Sequence, residues 1–312
     1  MGTYCFGIDV GGTTVKCGLF RTDGTLVEKW EIPTRKENNG DQILPDVASA
    51  VNAKMEEKGI SKAEVEGVGI GVPGPVNSKG EVSRAVNLFW GYKNVVGEME
   101  ELTGLHAEAG NDANVAALGE AWKGAAEGAK NVILVTLGTG VGGGVILDQK
   151  IIAGKHGLGG EIGHIHVRDD EWEHCNCGGV GCLEQVSSAT GIAREARRTM
   201  AKSDKPSALR EFGDNVSAKD VLDAAKAGDE MALEVMKTVS HYLGLALAQV
   251  ALTVDPEIFV IGGGVSKAGQ FLIDMIQKDY DHFTPISENK AKLGLATLGN
   301  DAGIYGAARL VL

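Results

Sequence analysis

The chain has 312 residues, 43% of them hydrophobic and 23% charged, with a formal net charge of −12. This balance excludes wholesale disorder, allows a large core and about two domains, and makes a polyanion such as nucleic acid an unfavourable partner for the surface as a whole. The 45 glycines are about twice the ordinary share of ~7%. They follow no G-X-Y period, so they are expected at turns and where backbone closely approaches a neighbour or ligand.

In chain order, Tyr4–Val10 is an apolar strand that ends in two glycines. Residues 15–21 and 26–32 follow as strands, separated by Thr22-Asp23-Gly24, and the three predict an antiparallel meander. Residues 41–58 read as a helix: Ile43, Val47, Val51 and Met55 share a face and Gly59 stops it. Val65–Val72 reads as a strand running into PGP. Then come a helix over 93–103, a short strand over 105–108 and a helix over Asp112–Lys123. The order then repeats. Val132–Leu137 and 144–148 are strands around a glycine run, 231–252 is a long helix, and 257–261 is a strand ending in GGG. A helix over 268–283, a strand over 293–298 and a helix over 302–311 complete the chain.

Two similar halves are too long for a solenoid repeat. They predict duplicated α/β domains around a cleft, the second enlarged by an insertion over 151–228, with a hinge in the small, glycine-bearing residues 121–130. An apolar stretch without Asp, Glu, Lys or Arg covers 239–254, and no such stretch in the chain exceeds 17 residues. It is shorter than the ~20 residues a membrane span needs and reads as a buried helix. The first residues lack the basic region of a secretion signal, and Phe6 does not fit a myristoylation motif. The expected location is therefore the cytoplasm.

Three glycine clusters each follow a predicted strand: GIDVGGTT (7–14), LGTGVGGG (137–144) and IGGGVS (261–266). Glycine turns let several N–H groups converge on an oxyanion, and the hydroxyls of Thr13, Thr14 and Thr139 add donors. None fits the Walker A pattern or a G-x-G-x-x-G fingerprint. One cluster after the first strand of each half suits a nucleoside triphosphate. Asp9, directly before the first cluster, would tolerate phosphate through an intervening Mg²⁺ or would simply cap its own turn. Asn111 and Asp112, between a strand and a helix, can serve as helix caps. An acid there can also be the general base that phosphoryl transfer to an alcohol requires.

Cys175, Cys177 and Cys182 lie within eight residues among glycines. With one histidine they make a normal tetrahedral zinc site of the structural kind; His164, His166 and His174 compete for the fourth place. Such a site would fix Glu161 and Glu184, whose carboxylates suit the hydroxyls of a sugar. Cys5 and Cys17 are expected as small core residues, and Trp90 as core rather than a platform for a sugar.

The segments DVGGT, GVPGPVN, NLFW, NDAN, LGTGVGGG, GGEIGH, CNCGGVGCLE and IGGG together resemble the ROK family (repressors, open reading frames, kinases), and within it the bacterial glucokinases, over essentially the whole chain. The resemblance implies the actin/hexokinase-like (ribonuclease H-like) fold: two duplicated domains around a nucleotide and sugar cleft, with the zinc insertion in the second. It implies a smaller lobe of residues 1–120 plus 301–312 and a larger lobe of 121–300, the last helix returning to the first. It further implies ATP and Mg²⁺ as cofactors and a structural Zn²⁺. In this reading Asp112 is the base, and Asn87, Asn111, Asp112, Glu161, His164 and Glu184 contact sugar. Asp9, Gly11, Gly12, Thr13, Thr14, Gly138, Thr139 and Gly140 face phosphate, and Gly262, Gly263 and Gly264 face adenosine. His164, Cys175, Cys177 and Cys182 bind zinc. The implied reaction is phosphorylation of glucose at O6, as a step of glycolysis, by a homodimer without nucleic-acid or membrane partners. Alternatives are the same transfer to N-acetylmannosamine, N-acetylglucosamine, allose or fructose, or a non-catalytic sugar sensor, which would have no use for Asp9, Asp112 and three glycine turns. The family's repressors carry an additional N-terminal helix-turn-helix domain; here the first phosphate loop begins by Gly7, so none is expected, and the acidic charge also argues against a repressor.

Overall fold

The computed structural model describes residues 2–312. In chain order the elements are β1 (Tyr4–Val10), β2 (Thr14–Arg21), β3 (Leu26–Pro33), a helical turn α1 (Glu37–Gly40), α2 (Ile43–Lys58), β4 (Val65–Val72), β5 (Glu81–Val82), β6 (Lys93–Asn94), α3 (Val95–Thr103), β7 (Ala107–Asn111) and α4 (Asp112–Lys123). There follow β8 (Val132–Leu137), β9 (Val141–Leu147), β10 (Lys150–Ile151), α5 (Glu184–Ser187), α6 (Ala189–Lys202), α7 (Ala218–Lys226), α8 (Glu230–Val254), β11 (Ile258–Gly262), α9 (Gln270–Phe283), β12 (Lys292–Leu295) and α10 (Ala302–Leu310). Among the described residues no helix is long and apolar enough to cross a membrane.

The strand orders carry the duplication. One sheet runs β3-β2-β1-β4-β7 and the other β10-β9-β8-β11-β12. In both, the first three strands in sequence lie in reverse order and the fourth and fifth extend the sheet beyond the first strand. In the first sheet β1–β2 and β2–β3 are antiparallel, and β1–β4 and β4–β7 are parallel. In the second, β8–β11 and β11–β12 are parallel. Parallel neighbours need crossover connections, and helices supply them.

The chain divides into two compact units. Unit 1 comprises 2–130, Gly144–Gly160 and Thr297–Leu312; unit 2 comprises Asn131–Gly143 and Glu161–Ala296. In unit 1 the face of α2 presented by Ile43, Val47, Val51 and Met55 is buried against Phe6, Ile8 and Val10 of β1 and Val68, Ile70 and Val72 of β4. Trp90 belongs to this core and donates its indole N–H to Gly40 O at 3.1 Å. Cys17 is buried here and Cys5 on the other face of the sheet, and burial pushes both thiols up to about 12, so they stay protonated and inert.

That other face is covered by α10, which approaches its neighbours backbone to backbone. A Cβ on Gly69 would lie 1.7 Å from Ala307 O, and one on Gly306 1.6 Å from Val115 O of α4. Only glycine admits such an approach. The closing helix is thereby wedged between the sheet and α4.

Candidate active site

In unit 1 the chemistry collects at the C-terminal ends of β1 and β7. Asp9 is the penultimate residue of β1 and pairs in register with Lys16 of β2, whose Nζ lies 4.0 Å away. Lys16 also donates to Asn300 O at 2.9 Å. Burial raises the Asp9 carboxyl above the usual carboxylate range; Lys16 opposes this, and the negative charge of Asp112 adds to it. Two acids that feel each other beside a glycine turn favour a proton or a cation in their shared field. Between β1 and β2 the turn closes through Gly11 N–H donating to Thr14 O at 3.0 Å. Thr34 braces it twice, its hydroxyl donating to Gly11 O at 2.7 Å and its N–H to Thr13 O at 3.0 Å. A Cβ on Gly12 would meet Asn87 O at 3.8 Å, so the exposed Asn87 stands next to this turn.

Asn111 caps α4: its Oδ1 accepts from Ala113 and Asn114 N–H, and its Nδ2 donates to Gly74 O at 3.1 Å. The capping role foreseen for this pair therefore falls to Asn111. Asp112, the first residue of the helix, holds an exposed carboxylate whose Oδ1 accepts from Ala113 N–H at 2.9 Å. A cavity of about 680 Å³ within unit 1 is lined by Pro75, Asn77, Tyr92, Asn111, Asn114 and Gly157.

Unit 2 holds the thiols. His164, Cys175, Cys177 and Cys182 bring four ligand atoms within 4.8 Å of one another. Cys177 Sγ and Cys182 Sγ are 3.7 Å apart, as are Cys175 Sγ and His164 Nδ1. A tetrahedral zinc with Zn–S of ~2.3 Å spaces its sulfurs by about 3.8 Å, so the donor set fits that metal in both type and span. Of the other two histidines, His166 is engaged by Val180 O at 2.8 Å and by Asp169 at 2.9 Å, and His174 faces Gly178 O at 3.3 Å. Of the three histidines, it is His164 that lies in the cluster with the thiols. Its Nε2 lies 3.8 Å from Glu161.

The cysteine loop is moored to α6. Glu171 is buried and paired with Arg198, whose guanidinium holds its carboxyl well below the ordinary range, down to about 2. Arg198 also reaches Glu173 and Glu195, and Gln185 links Cys182 N–H to Glu173 O. Glu184 opens α5 with one oxygen accepting from Val141 N–H at 2.9 Å and the other 3.8 Å from Cys175 Sγ. The second glycine turn, 138–140, closes through Gly138 N–H to Gly140 O at 2.9 Å. The third packs against it, since a Cβ on Gly263 would lie 2.5 Å from Leu137 O.

Each unit thus gathers its own share of the expected residues: Asp9, the first turn, Asn87, Asn111 and Asp112 in unit 1; the other two turns, Glu161, Glu184 and the metal ligands in unit 2. Lys16, Thr34 and Thr190, whose hydroxyl donates to Thr139 O at 3.0 Å, were not picked out from the sequence. For Lys16 the signal is present: strand alternation and a short glycine turn put it opposite Asp9.

The whole of residues 5–312 matches the ROK family. The chain is 44% identical to a glucokinase of Halalkalibacterium halodurans, the match covering 98% of this chain and 94% of that one. It superposes on a ROK hexokinase from Thermus thermophilus with a TM-score of 0.82 at 31% identity, covering 99% and 97% of the two chains. It also superposes on a ROK family glucokinase from Streptomyces griseus, solved with glucose and AMPPNP, with a TM-score of 0.74 at 34% identity and 98% of each chain covered. With the duplicated strand order and the Cys₃His cluster, these matches make the chain a member of the ROK family.

Proposed function

We propose that this protein is a cytoplasmic, ATP-dependent glucokinase that transfers the γ-phosphoryl group to O6 of glucose. The observation that carries the reading is the placement within unit 1 of Asp9 at the end of β1, directly before the glycine turn, and of Asp112 exposed at the start of α4. Phosphoryl transfer needs a base for the alcohol, a cation for the phosphates and donors around the transferred group. Asp112, exposed at a helix start, accepts the proton of the 6-hydroxyl as O6 bonds to the γ-phosphorus and the bond to the ADP oxygen breaks. Asp9, half-buried, would hold Mg²⁺, the cation favouring the carboxylate that burial and, to a lesser degree, the charge of Asp112 otherwise disfavour.

The N–H groups of Gly12, Thr13 and Thr14, and of Thr139 and Gly140, serve the phosphates, with the two threonine hydroxyls of the first turn and that of Thr139 beside them, while Gly11 and Gly138 close the two turns through their own N–H groups and keep the backbone there free of side chains. Lys16 adds a positive charge next to Asp9. Of the third turn, Gly264 faces open space and leaves room for the adenosine, while Gly262 and Gly263 let the turn pack against Ala296 and Leu137. Asn87, Asn111, Glu161, His164 and Glu184 take the remaining sugar hydroxyls. When bound, zinc cross-links His164, Cys175, Cys177 and Cys182 and supplies folding free energy rather than chemistry. The likeness to glucokinases supports glucose over other hexoses; a homodimer is the expected assembly.

Asp112→Asn tests the assignment. Turnover should fall by at least 10²–10⁴-fold, the usual share of a general base, while glucose still binds, as read by titration of intrinsic tryptophan fluorescence. Turnover within tenfold of the parent would remove Asp112 from its role. An ADP-release assay over glucose, mannose, fructose, allose and the N-acetylhexosamines tests the substrate; a higher kcat/KM for any of the others would replace glucose.

A further inference from the structure

In unit 2 the cysteine loop and the second glycine turn share one set of supports. Cys182 is followed by Leu183, whose N–H donates to Ile165 O at 2.9 Å, and by Glu184. Glu184 spans from the thiolate cluster to the turn: Oε1 lies 3.8 Å from Cys175 Sγ, and Oε2 accepts from Val141 N–H. The carboxylate is packed so closely that a Cβ on Gly140 would sit 2.1 Å from Oε2. One helical turn further on, Ala189 N–H donates to Gly138 O at 2.8 Å and Thr190 Oγ1 donates to Thr139 O at 3.0 Å. Three consecutive carbonyl or amide groups of the 138–141 turn are thus fixed by α5 and the first residues of α6. Ser188 Oγ, accepting from Gly191 N–H, fixes that helix start in turn.

We propose that Thr190 and Glu184 are positioning residues through which the Cys₃His loop sets the shape of the 138–141 turn, so that filling the metal site tightens the binding of a nucleoside triphosphate. The inference rests on the reading of this turn as a phosphate turn. Its physical basis is that a turn binds an oxyanion in proportion to how well its N–H groups are aimed beforehand. Here the aim is set by hydrogen bonds from a segment that begins two residues after a metal ligand. Loss of the metal frees Cys182 and with it the start of α5; the carbonyls of Gly138 and Thr139 then lose their fixed donors. Thr190 touches the turn and carries no sugar role, so its substitution acts on the nucleotide alone, whereas stripping the metal also disturbs His164 and Glu184 and weakens glucose as well.

The test uses the full chain in zinc-loaded and chelator-stripped form, with hydrogen exchange of the 138–142 amides and calorimetric titration with AMPPNP. In the loaded protein AMPPNP should slow exchange over 138–142. Stripping should speed exchange there and weaken AMPPNP at least tenfold. Thr190→Val, studied fully loaded with zinc, should raise the KM for ATP about tenfold, leave the KM for glucose within twofold, and be restored by Thr190→Ser. If AMPPNP protects 138–142 but neither stripping nor Thr190→Val changes AMPPNP affinity, the coupling is refuted and the phosphate-turn reading survives. If AMPPNP fails to protect 138–142 in the loaded protein, the phosphate-turn reading itself falls and takes the coupling with it. Should stripping unfold unit 2, the loaded Thr190 variants decide alone: an unchanged KM for ATP in Thr190→Val refutes the coupling.

Discussion

The two glycine turns that open the two sheets differ in what holds them. The turn between β1 and β2 is braced by Thr34 at the end of β3, and the Asp9 next to it is packed under Gly303 of α10, where a Cβ would meet the carboxyl at 2.6 Å. All of this is ordinary protein core. The turn between β8 and β9 is braced by Glu184, Ala189 and Thr190, which follow a loop organised by three thiols and an imidazole. The first turn is a product of sheet and helix packing. The second depends on a segment with little regular structure between Ile151 and Glu184, where a metal held by the Cys₃His cluster would stand in for the apolar core that such a segment cannot assemble for itself.

The largest effect should come from disabling the metal shell. Cys182→Ser should cut amide protection across 164–184 by on the order of 10³-fold, while exchange at 11–14 stays within twofold of the parent. Equal loss at both turns would abolish the contrast. Next, Gly306→Ala should destabilise unit 1 by about 3 kcal/mol or more, because α10 must lift off Val115 O to admit a methyl group. Denaturant unfolding followed by hydrogen exchange should localise this loss to unit 1.

The Glu171–Arg198 pair sharpens the comparison through pH. The folded pKa of Glu171 is depressed from 4.5 to about 2, so its contribution is fully present above about pH 4.5 and disappears as pH falls toward 2. That depression corresponds to about 3 kcal/mol. Glu171→Gln should lower the stability of unit 2 at pH 7 by up to this amount and flatten its pH dependence between 4.5 and 2, measured by urea unfolding at stepped pH. An unaltered acid profile would assign the mooring of the loop to other groups. The smallest change is expected from Thr34→Val, which removes one hydroxyl bond to Gly11 O at a cost of about 1 kcal/mol. It should raise the KM for ATP several-fold without altering zinc content.

Much of this was legible in the sequence because its signals are local. The four-residue spacing of Ile43, Val47, Val51 and Met55 gave the α2 face, and the strands and helices of both halves begin and end within a few residues of where apolar runs meet glycine. The thiol cluster was legible because three cysteines within eight residues have few other uses. What escaped was non-local. Helices α6 and α7, in the span 151–228 that the pattern did not divide, are the exception, since their signals are local: Ser188 and Ser217 cap them, and Ile192 and Ala196 of α6 and Val221, Leu222 and Ala225 of α7 form their buried faces. The choice among His164, His166 and His174 could not be made from spacing, since it depends on which imidazole already has partners. Thr34 and Thr190 act across 23 and 51 residues of sequence, distances at which a lone threonine carries no signal.

The wedge formed by α10 bears on how this chain comes into being. Strand β1 is made well before the helix that covers its outer face. During synthesis Cys5 and Phe20 therefore remain exposed until α10 emerges and docks, whereas the residues of unit 2 end at Ala296, ahead of that helix. A chain cut short before Ala302 would carry every residue of unit 2 and an open unit 1, a species prone to adhere to others of its kind.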